Sequence, residues 1–165
     1  SNTDLTVDQI KKLSKRHIVA GHTQNHPSDM KLLNDQALKH EIEANKRWLE
    51  NIIGKPVNLF CFPRGRHDER VRKAVKDAGY KEARTTVVLS TSYPQDKFQT
   101  DTSIHWSYPR KEYCGKDWFD LANDLLEKVV KEGGRFECWG HSQEGLRTQS
   151  IDKFDKMCKI IASVI

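Results

Sequence analysis

Apolar residues recur every three or four positions in five segments of the chain, the spacing typical of amphipathic helices. The first segment starts at Thr6, whose hydroxyl can form a capping box with Gln9. The second starts at Asn34 and ends where Gly54 is followed by Pro56. The other helices are predicted from Asp68 to Gly79, from Asp117 to Glu132 and from Ser150 to Val164.

Short apolar runs between these helices predict strands. We expect a buried strand over residues 17–21, strands over 57–62 and 135–139, and an extended run within 80–88. The stretch from Thr91 to Tyr113 is rich in Ser, Thr, Pro and Tyr and has no clear period, so we predict a long functional loop there. Strands that alternate with helices indicate an α/β fold with a parallel sheet or barrel, whose ligand site lies at the carboxyl ends of the strands.

The composition describes one globular domain over residues 1–165, since 36% of the chain is apolar and 31% is charged. The apolar runs are too short to cross a bilayer, so we expect no membrane span, and we expect no leader sequence. Ser1 and Asn2 are interpreted as a processed end. The net charge of +5 permits an anionic partner, but basic and acidic residues alternate along the helices, and we expect no nucleic acid partner.

The four cysteines show no Cys-x-x-Cys spacing. Cys61 and Cys138 fall within predicted strands, whereas Cys114 and Cys158 stand alone. This pattern indicates neither a disulfide framework nor a cysteine metal site. We expect buried free thiols.

His22 and His26 stand four residues apart, with Pro27 directly behind the second histidine. Two imidazoles at this spacing can converge on one cation if the backbone turns once. Because Pro27 disfavours the α conformation of His26, the pair is predicted at a corner between a strand and a loop. Such a pair also arises by chance among seven histidines, but the apolar run before His22 favours half of a metal site.

Three polar clusters follow predicted strands, at residues 22–27, 63–68 and 140–144. The first reads His-Thr-Gln-Asn-His-Pro and matches the His-Ser/Thr-x-x-His-Pro metal motif of the polysaccharide deacetylases, which remove acetyl groups from amino sugars. The chain resembles this family from about Thr6 to its C-terminus. The resemblance implies an incomplete or distorted (β/α) barrel of the polysaccharide deacetylase type, with parallel strands and flanking helices.

The same resemblance implies a metal-dependent hydrolase that removes acetyl groups from N-acetylated or O-acetylated sugars of a polysaccharide or oligosaccharide. Its metal ligands would include His22 and His26. The donor set suits Zn, with Co or Fe as alternatives. The implied location is extracellular or in the cell envelope.

The segment from Phe60 to Gly65 looks like the groove-wall motif of the family, which implies substrate contacts for Pro63 and Arg64. Two positions depart from the motif. Arg64 replaces an aromatic residue and is equally explained as a surface arginine, and Cys61 stands where many relatives carry an arginine that orients the catalytic aspartate. Arg84 stands where relatives often carry arginine, and a structural ion pair explains it equally well.

The segment from Cys138 to Ser142 resembles the last family motif, Leu-x-His. The resemblance implies that His141 protonates the leaving group, the alternative being a histidine hydrogen-bonded at a strand end. Trp139 stands for the leucine and is either a wall of the acetyl pocket or an ordinary core tryptophan. His105, in the predicted loop, either lines the substrate groove or is merely exposed.

Relatives normally carry Thr-Phe-Asp-Asp-Gly on their first strand, and its aspartates act as catalytic base and third metal ligand. No such motif occurs here, and only about twenty residues precede His22. We therefore expect the first βαβ portion to be absent, either removed from this chain or lost from the natural protein. Asp29, Asp68 and Glu144 lie near the motifs and are candidates to replace the missing aspartates.

Two hypotheses follow from the resemblance and this departure. The chain is the main body of a metal-dependent deacetylase with impaired activity, or it is a non-catalytic saccharide-binding or scaffold protein with a degenerate site. An incomplete barrel exposes strand edges, so we also predict a homodimer that covers them.

Overall fold

The computed structural model describes residues 5–164, and the interpretation of Ser1 and Asn2 as a processed end lies outside them. The chain divides into two compact units, each made of two stretches. Unit 1 comprises Ser1–Thr85 with Asp96–Thr100, and unit 2 comprises Thr86–Gln95 with Asp101–Ile165. The single domain predicted over residues 1–165 stays a prediction.

Unit 1 contains helices α1 (Val7–Leu13), α2 (Asp35–Ile53) and α3 (Glu69–Asp77). Each of these three helices begins directly after its predicted capping residue. Thr6 forms its capping box with Gln9, Asn34 accepts from the amide at the third helical position, and Asp68 does the same at 2.8 Å. Gly54 ends α2 in the left-handed conformation, with φ of 68°. These helices therefore form where local capping chemistry places them.

The sheet of unit 1 is built on β1 (Leu59–Cys61) and β2 (Glu82–Arg84), which pair in parallel. Single parallel bridges extend it on both sides, from Gly21 to β1 and from Thr100 to β2. Residues of this sheet and of helices α2 and α3 share one hydrophobic core. The buried core residues are Met30, Leu38, Ile42, Leu49, Val57, Phe60, Phe62, Val71, Val75, Tyr80 and Ala83.

The buried strand predicted over residues 17–21 is wrong except at its last residue. Gly21 donates to the carbonyl of Leu59 at 2.8 Å and accepts from the amide of Cys61 at 2.9 Å. The amide of His17 instead donates to the carbonyl of Leu13, so the turn that ends α1 continues through His17. Ile18 is 79% exposed. The apolar run therefore meets the sheet only at Gly21.

Unit 2 contains β3 (Ile104–His105), β4 (Cys138–Trp139) and helices α4 (Trp118–Glu132), α5 (Ser142–Arg147) and α6 (Ile151–Val164). β3 and β4 pair in parallel, with His105 opposite Trp139. Helix α4 packs against β3 and α6. The buried core residues are Val88, Ile104, Trp106, Tyr113, Trp118, Ala122, Leu126 and Met157.

The long loop predicted from Thr91 to Tyr113 is wrong in its second half, which contains β3 and a short 3₁₀ turn, Lys111–Tyr113. Ser103 is buried there, and its hydroxyl donates to the carbonyl of Ser90 and accepts from the amide of Glu137. The side chain of Ser103 thus adds to the backbone hydrogen bonds that Ser103 forms with Leu89 and Glu137. A strand of two residues has no detectable alternation, and α5 was likewise not predicted.

All four cysteines are free thiols, as predicted. The expectation of burial is wrong for Cys114 and Cys158, which are exposed, whereas Cys61 and Cys138 on the strands are partly covered. Burial raises the pKa of the Cys138 thiol to about 12. Cys138 is therefore protonated at neutral pH.

All strand pairings in the described residues are parallel, and neither unit closes a barrel there. This arrangement of short parallel strands and helices confirms the predicted α/β class and the incomplete barrel. Over residues 5–164, none of the helices has both the length and the apolar character that a bilayer crossing requires.

Candidate functional site

The segment with His22 and His26 leaves the sheet directly after Gly21 and turns through two left-handed residues. Thr23 has φ of 68° and His26 has φ of 51°. The Thr23 hydroxyl donates to the carbonyl of His22 at 2.5 Å and accepts from the amide of His26 at 3.1 Å. The two imidazole centroids consequently lie 4.9 Å apart, with the ring planes at 68°. The turn thus brings the two predicted metal ligands together.

The ring of His22 is oriented by its neighbours in unit 1. Its Nδ1 lies 2.7 Å from the carbonyl oxygen of Cys61, and its backbone amide donates to Oδ1 of Asn45 at 3.0 Å. Because a carbonyl oxygen only accepts, Nδ1 carries the proton of the neutral ring. The lone pair is then on Nε2, the atom that would bind a metal.

Glu41 of α2 holds the loop between the two histidines. Its carboxylate accepts from the amides of Gln24 at 3.0 Å and Asn25 at 2.8 Å, and from the Asn25 side chain at 2.7 Å. Glu41 is 9% exposed, and Asn45 lies one helical turn further on the same face. Sequence reasoning missed both residues. The available signal was their position in the apolar stripe of α2, where a polar residue needs a partner.

Among the described residues, no cluster of three or more metal-ligating side chains includes His22 and His26. Asp29 instead accepts from the amide of Lys31, and Asp68 caps α3. Neither of these aspartates replaces the missing metal ligand.

Pro63 and Arg64 follow β1 in a short 3₁₀ turn, Pro63–Gly65. Pro63 is buried, and Arg64 is exposed in a left-handed conformation with φ of 56°. On the neighbouring strand, Arg84 lies opposite Cys61, and its guanidinium donates to the Cys61 sulfur at 3.0 Å. The substrate contacts assigned to Pro63 and Arg64 stay predictions.

In unit 2, one carboxylate oxygen joins two histidines. Oε2 of Glu144 lies 2.9 Å from Nδ1 of His141 and 3.2 Å from Nε2 of His105. It also accepts from the backbone amide of His141 at 3.2 Å. His141 is the residue before α5 and Glu144 is in its first turn, so the helix start sets this geometry. Glu144, named as a replacement metal ligand for His22 and His26, contacts His105 and His141 instead.

His105 is buried, so the expectation of an exposed loop histidine is wrong. The Tyr113 hydroxyl accepts from its amide at 2.7 Å and donates to its carbonyl at 3.0 Å. Burial lowers the pKa of His105, although the Glu144 carboxylate opposes this shift. His105 is therefore neutral at pH 7. Within residues 5–164, no hydrogen-bond partner reaches its buried Nδ1.

Trp139 on β4 packs its ring against both histidines. Its centroid lies 4.3 Å from that of His105, at an interplanar angle of 78°, and 5.9 Å from that of His141. Trp139 is partly exposed, whereas His141 has 63% of its side chain exposed. The aromatic ring thus covers one side of the histidine that the sequence singled out as a proton donor.

Short parallel strands that end in histidine-bearing loops place the chain among α/β proteins with candidate sites at the carboxyl ends of their strands. The sequence model of the family described as "Polysaccharide deacetylase" matches residues 1–83, half of the chain. The chain therefore belongs to the polysaccharide deacetylase family, as the motifs predicted. No curated protein sequence matches it significantly.

Solved structures share this fold. The Streptococcus pyogenes deacetylase PplD, in complex with acetate, is 21% identical, with a TM-score of 0.58 over 62% of this chain and 46% of that one. BC0361, a polysaccharide deacetylase from Bacillus cereus, is 25% identical, with a TM-score of 0.54 over 62% of this chain and 33% of BC0361. BA3943, a pseudoenzyme from Bacillus anthracis, is 16% identical, with a TM-score of 0.56 over 93% of this chain and 46% of BA3943. The chain thus spans a third to a half of these proteins.

Proposed function

We propose that this chain is part of a metal-dependent deacetylase that removes acetyl groups from N-acetylated or O-acetylated sugars of a polysaccharide or oligosaccharide. The observation that carries the proposal is the orientation of His22. Its Nδ1 donates to the carbonyl of Cys61, so Nε2 carries the lone pair of the neutral ring, and the His26 ring lies 4.9 Å away. Family membership supplies the reaction class.

The two imidazoles fit half of a divalent metal site. A carboxylate beside them would complete a His-His-carboxylate set suited to Zn, with Co or Fe as alternatives. When bound, the cation supplies a Lewis acid for the acyl oxygen and lowers the pKa of a water molecule. Glu41 contributes indirectly, because it fixes the loop that presents His26.

His141 is the proposed proton donor. Nδ1 of its ring is held by Glu144 at 2.9 Å, so Nε2–H of the imidazolium is the bond that can deliver a proton to a departing amine. The exposed side chain of His141 is accessible to a substrate. Trp139 packs beside it and would bound the acetyl group.

The remaining substrate contacts are proposed for Pro63 and Arg64. The exposed guanidinium of Arg64 can donate to saccharide hydroxyls, and the buried Pro63 fixes the turn that presents it. We further propose a homodimer that covers the open strand edges. A monomer in light scattering would contradict it. We also propose an extracellular or cell-envelope location, which fractionation of cells that produce the protein tests.

A non-catalytic saccharide-binding protein is the second candidate. It is favoured by one observation, that no cluster of three metal-ligating side chains among the described residues includes His22 and His26. Two imidazoles alone bind a cation weakly. On this hypothesis the chain binds the same saccharides without releasing acetate.

The test measures acetate release and binding with the same N-acetylated chito-oligosaccharide in the presence of Zn²⁺. The deacetylase hypothesis predicts zinc-dependent acetate release that the His22→Ala, His26→Ala double variant abolishes. His40→Ala, an exposed histidine of α2, is the matched control and should leave it unchanged. Binding without acetate release would establish the second candidate, and neither binding nor release would contradict both.

A further inference from the structure

Unit 2 holds a cluster of three metal-ligating side chains that does not include the motif histidines. Nε2 of His105, Nδ1 of His141 and a carboxylate oxygen of Glu144 all lie within 4.8 Å of one another. Among residues 5–164, this is the one group of three or more His, Cys, Asp or Glu residues with such spacing. Two imidazoles and one carboxylate form a donor set that binds first-row divalent cations.

The two distances from Glu144 to the histidines match those between ligands of a single cation. Ligand atoms about 2.1 Å from a metal are about 3.0 Å apart at right angles and about 3.4 Å apart in a tetrahedron. Glu144 Oε2 lies 2.9 Å from His141 and 3.2 Å from His105. A cation here would replace the proton between Glu144 and His141, and the proton of neutral His105 would move from Nε2 to Nδ1. The two imidazole nitrogens, which lie within 4.8 Å of each other, would move closer together around it.

The ligands are held in place by the fold of unit 2. His105 is fixed on β3 by its pairing with β4 and by the Tyr113 hydroxyl, and only 6% of its side chain is exposed. The amide of His141 donates to the Glu144 carboxylate, which fixes the carboxylate at the start of α5. Ordered ligands of this kind lose little conformational entropy when a metal binds.

The cluster is closed on one side and open on the other. His105 forms its buried base, and its Nδ1 is a buried polar atom without a hydrogen-bond partner among the described residues. His141, with 63% of its side chain exposed, forms the outer side. A cation held here could enter from solvent and keep water in its remaining coordination positions.

We propose that His105, His141 and Glu144 form a divalent-cation site of the two-histidine, one-carboxylate type, in addition to any cation bound by His22 and His26. The site takes Zn²⁺ or Co²⁺. This site goes beyond the proposed deacetylase function, and a cation bound there would affect the role of His141 in that function. A cation on Nδ1 displaces the proton that His141 shares with Glu144, so metal binding and proton donation by His141 exclude each other. Excess Zn²⁺ would then inhibit an activity that low Zn²⁺ supports.

The test is a titration with Co²⁺, followed by its ligand-field absorption, on the His22→Ala, His26→Ala double variant. Removing the motif pair leaves the proposed site as the expected binder and makes the result independent of the deacetylase proposal. We expect saturation at one equivalent of Co²⁺. Adding Glu144→Gln or His141→Ala should weaken binding by at least about tenfold, since even substitutions behind a ligand have effects of that size.

Gln143→Ala, an exposed neighbour on α5, is the control for each added substitution and should leave the affinity unchanged. Circular dichroism confirms that each variant is folded, and the exposed His141 can be replaced without opening the core. The proposal is overturned if the double variant binds no Co²⁺. It is equally overturned if Glu144→Gln and His141→Ala leave binding unchanged.

Discussion

The Nδ1 atom of His22 lies 2.7 Å from the carbonyl oxygen of Cys61, so the backbone of β1 determines which ring nitrogen of His22 carries the proton. The same strand residue also accepts, through its sulfur, a hydrogen bond from Arg84 on β2. The metal-binding nitrogen is thus selected by the sheet, before any cation is bound.

Neutral His22 is therefore expected to be the Nδ1–H tautomer. Long-range ¹H–¹⁵N spectra of the metal-free chain distinguish the two tautomers, since the protonated and lone-pair nitrogens differ in chemical shift. Exposed His40 on α2 provides the internal reference. Observation of the Nε2–H tautomer for His22 would remove the basis for its role as an Nε2 ligand.

Replacing Glu41 with alanine should loosen the loop that carries His26. Three hydrogen bonds from Gln24 and Asn25 to the carboxylate are lost. We expect the affinity for Zn²⁺ at the His22 and His26 site to fall by about 10- to 100-fold, the range for residues that orient metal ligands. Calorimetry is done with His141→Ala in the background, so that the site of unit 2 does not contribute.

The matched control is Glu43→Ala, two residues further along α2. Glu43 pairs with Lys39 at 3.7 Å and Arg47 at 3.0 Å on the helix surface. Such surface pairs contribute about 0 to 1 kcal/mol to stability and do not touch the loop. Equal losses of Zn²⁺ affinity in the two variants would show that α2 is merely destabilised.

Gly145→Ala should destabilise unit 2, although alanine is the better helix former. In an unhindered helix the change stabilises by about 1 kcal/mol. Here an added Cβ would lie 2.2 Å from the indole of Trp106, a buried core residue. We expect the free energy of unfolding in urea to fall by about 1 to 3 kcal/mol, the usual effect of overpacking.

Trp106→Phe provides the check on this explanation, because the smaller ring removes the atoms nearest to Gly145. In the Trp106→Phe background, Gly145→Ala should lower the free energy of unfolding by less than it does in the unsubstituted chain. An equal loss in both backgrounds would mean that the indole is not the obstacle.

The thiols should react with iodoacetamide in a fixed order at pH 8. A pKa raised to about 12 keeps Cys138 protonated, with a thiolate fraction on the order of 1 in 10,000 at that pH. Cys114 is exposed and should be labelled first, and Cys138 last. Mass spectrometry gives the order. In urea all four thiols should react alike, and early labelling of Cys138 in the folded chain would contradict its burial.

Helices were predictable from this sequence because their signals are local. Thr6, Asn34 and Asp68 each cap a helix within three residues of themselves, so a short window contains the information. Strands of two or three residues carry no comparable pattern. The sequence therefore gives no signal for β3, and it predicts a strand over residues 17–21 of which only Gly21 pairs with the sheet.

The candidate site was predictable only in part. The motifs predict His22, His26 and His141 in loops after strands. In the structure the rings of His22 and His26 contact each other, and His141 contacts Glu144. The pairing of His105 with Glu144 depends on the β3–β4 register and joins residues far apart in sequence, which no local pattern encodes. Glu41 could have been found as a polar residue in an apolar stripe.

The short stretch from residue 96 to residue 100 belongs to unit 1 although unit 2 flanks it in the sequence. Ala83 donates to Lys97 and accepts from Thr100, and the amide of Thr85 donates to Thr100 as well. A chain truncated after Thr85, near where the family match ends, would keep every helix and strand of unit 1 but leave the outer side of β2 unpaired. Such an edge recruits strands from other molecules. Unit 1 produced alone is thus expected to remain soluble only when those five residues are attached to it.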